Sequence, residues 1–200
     1  IALSCNFKTF TQCINQVRYK NGEIAFTTRN HFTSLDWNPN NQKAGLTKDI
    51  TQKLIDKNNQ PVAKISTTLM NKPKWYAVLS KDRIRLPGAS QKEQAQQFEA
   101  LKKAGQALKA KTVQLPYIPL TALFNKKGEP NQALFNQIPN GAIIEIVRPN
   151  WNLKEKIGTN LDVSHMGFAF RKNAELRFRH ASLSAQKIVD ISLISYLEKA

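Results

Sequence analysis

Two short runs near the end of the chain constrain its fold more than any other feature. Ser164-His165-Met166-Gly167-Phe168-Ala169-Phe170 and Leu176-Arg177-Phe178-Arg179-His180 carry two of the three histidines. In the second run Leu176, Phe178 and His180 alternate with Arg177 and Arg179, the period of two that a half-buried strand requires. The polar stretch Lys172-Asn173-Ala174-Glu175 between them suits a hairpin loop. Two antiparallel strands joined this way set the imidazoles of His165 and His180 side by side. The same pattern also fits two packing histidines, so the pair needs a chemical complement before it defines a site.

A thiol is such a complement, because a nearby imidazole and a helix N-terminus both lower its pKa. The chain has two cysteines, Cys5 and Cys13. Phe7, Phe10, Cys13 (or Ile14) and Val17 recur at helical spacing, so a first helix begins close to Cys5, with Ser4 or Asn6 as its cap. Along that helix the two cysteines lie roughly 12 Å apart, more than the ~7 Å between Cα atoms that a disulfide tolerates. Cys5 then occupies the helix start, and Cys13, two turns inside, packs as a small apolar side chain. His165 is placed to act as base toward the thiol and acid toward the leaving group. His180 is placed to fix its tautomer and orientation.

Charge narrows the partners without naming one. Lysine and arginine number 30 against 14 acidic residues, a formal net charge of +16. Such a field favours nucleic acid, anionic lipid or the acidic polymers of a bacterial envelope. The basic residues are spread along the chain. No Cys/His metal spacing, helix-turn-helix signature or aromatic-on-basic strand pattern accompanies them, so no metal and no specific nucleic acid is expected. No run of about 18 apolar residues exists to form a spanning helix. The chain opens at Ile1 without a methionine, as expected of a processed product. Ala2-Leu3-Ser4-Cys5 faintly resembles a lipoprotein cleavage box.

Between the two ends the pattern is irregular. Arg29 to Asp49, with His31, Phe32 and Trp37 embedded, reads as a long structured loop. Lys64–Leu69 and Trp75–Leu79 read as strands, and 91–111 as the clearest helix, weakened a little by Gly105. Leu115 to Leu120 is a proline-fixed extended segment, and Ala133 to Phe135 ends a short helix. Ala142–Val147 is a buried strand, Arg148 to Asn160 a basic loop, and Ile188–Leu197 a strand followed by a short helix. One domain over residues 1–200 is expected, with an elaborated middle region at about 25–130. The order of helix, irregular middle and C-terminal antiparallel sheet predicts an α+β fold.

A family resemblance covers nearly the whole chain. Ser164-His165-Met166-Gly167-Phe168 followed by His180-Ala181-Ser182 resembles the His-Val-Gly and His-Ala pairing of papain-like, NlpC-type cell-wall cysteine peptidases. It is still more similar to the bacterial N-acetylmuramoyl-L-alanine amidase-like family on that fold. Arg29-Asn30-His31-Phe32, Asp36-Trp37, Gly45 to Thr51, Tyr117-Ile118-Pro119 and Leu161 to His165 follow the family's order. The departure lies at the nucleophile, where the family's Asp-Cys-x-Thr-Phe-Val-Glu meets Ser4-Cys5-Asn6-Phe7-Lys8-Thr9-Phe10. Matching Thr9-Phe10 puts Phe7 at the catalytic position, whereas matching Cys5 needs two extra residues.

The resemblance implies a peptidoglycan amide hydrolase with a Cys5-His165-His180 site and no cofactor. It would cleave the lactyl-alanine amide or a stem-peptide bond, with a periplasmic or secreted location. His31, Asp36 and Trp37 are candidates for the substrate groove, the alternative being that Arg29, Asp36 and Trp37 pin a long loop. Peptidoglycan or muropeptide is the expected substrate, with anionic envelope surfaces as further partners. Two rivals stand: a non-catalytic basic envelope-binding module that kept the fold and lost the nucleophile, and a nucleic-acid binder suggested by charge alone.

Overall fold

A computed structural model describes residues 7–84 and 90–199. The first half of the chain gives α1 (Phe7–Arg18), α2 (Asn38–Lys43), β1 (Lys64–Met70), α3 (Lys72–Ala77) and α4 (Gln91–Gln106). Next come β2 (Lys111–Tyr117), α5 (Leu120–Leu123), α6 (Gln132–Asn136), β3 (Ile143–Leu153) and α7 (Lys154–Ile157). The chain closes with β4 (Thr159–Lys172), β5 (Glu175–Ser182), β6 (Lys187–Ser192) and α8 (Leu193–Leu197). Strands β1 and β2 pair with each other, and β3 to β6 form a four-stranded sheet in sequence order. The architecture is α+β, as the pattern predicts.

Two compact units make up the fold. The first comprises residues 1–48, 67–114 and 149–162, and the second 49–66, 115–148 and 163–200.

In the first unit, Tyr76, Leu79 and Phe98 form the buried core, with Phe26, Trp75, Leu101 and Leu108 packed against it. Helix α4 starts where a capping box allows it. The Ser90 hydroxyl accepts from the Glu93 N–H, and the Glu93 carboxylate accepts in return from the Ser90 N–H. Gly105, which weakens α4 in isolation, is required by its packing. A Cβ there would lie 2.0 Å from the Tyr76 ring, so the glycine admits the largest side chain of this core.

Three sequence expectations are corrected by this unit. Trp75–Leu79 is not a strand: α3 covers Lys72–Ala77, started by the Asn71 side chain accepting from the Lys74 N–H, with Pro73 in the first turn. Short apolar runs have no period of their own, and here the cap decides. Arg29–Asp49 is more than a long structured loop, since it holds a π-turn (Thr33–Trp37) leading into α2. Fully buried Asn41 ties it down, its Nδ2 donating to the carbonyls of Val17 and Trp37. Arg148–Asn160 is not a basic loop. Strand β3 runs on to Leu153, α7 follows, and Gly158 (φ 77°) turns the chain into β4.

In the second unit, β4 and β5 form the expected antiparallel hairpin, with Lys172 opposite Glu175. Asn173 and Ala174, at φ 51° and 64°, make its two-residue turn. The inner face presents Ala169, Leu176 and Phe178 to Leu134, Phe135, Leu193 and Leu197, all buried. The Arg171 guanidinium donates to the carbonyls of Phe135, Asn136 and Ile138, satisfying the C-terminal end of α6.

Candidate active site

Strand parity puts both C-terminal histidines on the buried face of the second unit. His165 and Gly167 share a side with Ala169 on β4, as His180 does with Phe178 on β5. His165 Nε2 and His180 Nδ1 are 2.8 Å apart, in hydrogen-bond contact. The two ring planes are perpendicular, with centroids at 4.9 Å. Phe178 stacks on His180 at 4.8 Å, and the Tyr196 ring of α8 stands 5.1 Å from it. Gly167 makes room for this stack, since a Cβ there would meet the Phe178 ring at 2.5 Å. His180 is 8% exposed, held by the Phe178 stack and by the His165 contact at Nδ1.

This geometry divides the roles of the two rings. When His165 donates its Nε2 proton to His180 Nδ1, its Nδ1 keeps a lone pair and can accept a proton. His180 then carries its own proton on Nε2, which is buried and has no partner among the described residues. Burial, and after it the charge His180 can acquire, holds the His165 pKa below the ordinary histidine value. His165 is thus the ring whose free nitrogen can take up a proton. Burial also raises the Tyr196 pKa, keeping it a phenol.

The other candidates belong to the first unit. His31 Nε2 bonds the Phe26 carbonyl at 3.0 Å, between the rings of Phe26 (4.5 Å) and Trp75 (4.9 Å). Burial, reinforced by the charges of Arg29 and Lys72, lowers its pKa to about 4 against the opposing Phe26 carbonyl. Asp36 accepts from Lys72 Nζ at 2.6 Å through one oxygen and from the Phe32 N–H through the other. Trp37, at the end of the π-turn, lends its carbonyl to Asn41. Both oxygens of Asp36 are thus committed to holding the 32–37 turn. Asp162 is 1% exposed and accepts from the Ser34 hydroxyl at 2.7 Å, in line with a packing role.

The structure brings His165 and His180 together and places His31 and Asp36 at either end of one turn. Cys5 lies outside the described residues, as do its proposed caps Ser4 and Asn6. Phe178 shares the period of His180 in the sequence, whereas nothing local singles out Tyr196 or Lys72. Those two reach their partners through the fold.

Comparison with known proteins matches residues 1–200 to the N-acetylmuramoyl-L-alanine amidase-like family. The chain belongs to this family. A Legionella pneumophila protein is 50% identical over 99% of the chain, with a TM-score of 0.94, and the match covers 66% of that protein. The chain thus spans slightly less than two thirds of that relative's length. An N-acetylmuramoyl-L-alanine amidase from Bacteroides uniformis is 25% identical over 98% of the chain and 70% of its own, with a TM-score of 0.58. A Bacteroides fragilis protein provisionally called a xylanase shares the fold at 24% identity and a TM-score of 0.58, over 100% and 74% of the two chains. No curated protein matches.

Proposed function

We propose that this amidase-like protein hydrolyses an amide bond of peptidoglycan with the thiol of Cys5, on a papain-like domain of the NlpC type. The observation that carries the reading is the 2.8 Å contact of His165 and His180, which engages one nitrogen of His165 and leaves the other for a thiol. In this mechanism His165 Nδ1 takes the Cys5 proton and the thiolate attacks the amide carbonyl. Backbone N–H groups at the start of α1 hold the oxyanion. The C–N bond breaks as the imidazolium returns its proton to the departing amine, leaving a thioester. Water, deprotonated by the same nitrogen, attacks the thioester and releases the acid and the thiol.

The substrate in this reading is a muropeptide cut at the lactyl-alanine amide or at a stem-peptide bond such as D-glutamyl to diamino acid. His31 and Trp37 shape the groove beside the turn that Asp36 holds. The +16 charge draws the protein to anionic wall and lipid surfaces of the periplasm or cell exterior. The chemistry calls for no metal or cofactor.

The test is chromatographic detection of new amines and carboxylates from purified sacculi treated with the parent chain and with Cys5→Ala. Release by the parent and none by the variant is expected. Equal release by both would reject Cys5 as nucleophile. Binding to sacculi without release by either would establish the rival binding module, which the departure of Ser4-Cys5-Asn6-Phe7 from the family pattern favours.

A further inference from the structure

Four rings of the second unit form a closed cluster, of which the proposed mechanism uses only the two imidazoles. His165, Phe178, His180 and Tyr196 make six pairs, and every pair is in ring contact, with centroids between 4.8 and 6.2 Å. Tyr196 comes from α8, which the Ser192 hydroxyl caps by accepting from the Ser195 N–H. Leu193 and Leu197 of the same helix are buried in the core. At positions i, i+3 and i+4, residues 193, 196 and 197 share one face. That face sinks two leucines into the core and lays the Tyr196 ring against the histidine pair.

A single hydrogen bond at one ring atom sets the place of that atom but not the plane of the ring. The Nε2 contact with His180 therefore leaves His165 free to tilt, and the outer torsion of a histidine is soft. Of the rings around His165, Phe178 meets it edge-on, at 82° and 6.1 Å, and His180 stands perpendicular to it. Tyr196 alone among them lies near parallel, at 29° and 6.2 Å, within the range of offset stacking. It is the ring that a tilting His165 would run into. The Tyr196 hydroxyl makes no hydrogen bond among the described residues. A buried tyrosine usually employs that group, so what this position uses is the ring.

We propose that Tyr196 is a positioning residue for His165, bracing the imidazole pair from α8 with its ring and not with its hydroxyl. The short helix α8 then takes part in proton transfer without touching substrate. Its role in turnover rests on the hydrolase reading, whereas the bracing of His165 rests on the ring cluster alone.

Nitrogen-15 NMR of the imidazoles tests the brace, and kinetics on solubilised muropeptides test its use. At pH 8, above the ordinary histidine pKa, His165 of the parent chain should show one tautomer, protonated on Nε2. Its carbon-bound protons should give NOEs to the Tyr196 ring. Tyr196→Phe should keep that signature and the parent kcat. Tyr196→Leu should loosen the Nε2 contact, average the two His165 nitrogens between tautomers and lower kcat about tenfold, with KM within about twofold. Tyr196→Met, which refills the space with a flexible chain, should lose as much and serves where the leucine variant does not fold. A loss in Tyr196→Phe equal to that in Tyr196→Leu would overturn the inference in favour of the hydroxyl. Unaltered nitrogen signals in the leucine or methionine variant, or missing NOEs in the parent, would overturn it outright. A Tyr196-dependent tautomer in a chain that releases nothing from sacculi would reject the hydrolase reading and leave the brace standing. Release from sacculi with a tautomer indifferent to Tyr196 would do the reverse.

Discussion

His31 and His165 are both partly buried histidines among aromatic rings, and burial lowers the pKa of each. What separates them is the partner. The Phe26 carbonyl can only accept, so it fixes the proton on His31 Nε2 and leaves that ring a single useful tautomer. The His165 Nε2 contact likewise leaves Nδ1 with a lone pair, but its acceptor is a second imidazole, itself stacked on Phe178, whereas His31 is packed between the Phe26 and Trp75 rings. Similar burial thus accompanies a backbone-anchored ring in one unit and a paired ring, the proposed base, in the other.

The largest test of this contrast is chemical. Cys5→Ala and His165→Ala should each reduce amide release by at least about a thousandfold, while His31→Gln should leave turnover within a small factor in a folded chain. A comparable collapse with His31→Gln would erase the contrast.

Next in size is an effect on stability. Free His31 titrates at 6.5 and the folded residue at about 4, so between those values the unfolded chain binds the proton and the folded one does not. Stability is full above pH 6.5 and falls by about 3 kcal/mol as the pH drops to about 4. Urea midpoints at pH 7 and 4.5 should show the loss in the parent and a much smaller one in His31→Gln.

His180→Ala should cost activity about thirtyfold, since it removes an orienting contact and no bond-making group. Its signature is the acid limb of kcat/KM. His180 helps depress the His165 pKa, so the limb should begin at higher pH in the variant than in the parent. An unmoved limb would mean that His180 acts by packing alone. The smallest effect belongs to Cys13→Ala, at about 1 kcal/mol of stability with turnover unchanged. Loss of turnover there would show that the nucleophile was assigned to the wrong cysteine.

The histidine hairpin was legible because its signals are local. Alternation fixed the face of Phe178 and His180, and a polar four-residue stretch announced the turn. The Trp75–Leu79 run reads as a strand although α3 covers Lys72–Ala77, because an apolar run of five has no decisive period and the cap, Asn71, lies outside the run. Gly105 was legible only as a weakness, since the Tyr76 ring that requires it comes from a separate helix. The Asp36–Lys72 pair and the Tyr196 ring depend on side chains meeting through the fold, which spacing along the chain does not report. At the proposed nucleophile, sequence order and family resemblance remain the whole argument for Cys5.

The turn at Asn173 and Ala174 has a kinetic consequence. It joins His165 to His180 across only 15 positions, so their meeting requires closure of a short loop, and the ladder of β4 and β5 zips outward from the turn on the microsecond scale of hairpins. A thiol 160 positions away can join only after much longer loops have closed. During folding the histidine pair is therefore expected to assemble first, and the proposed nucleophile to meet it only once the tertiary structure is complete.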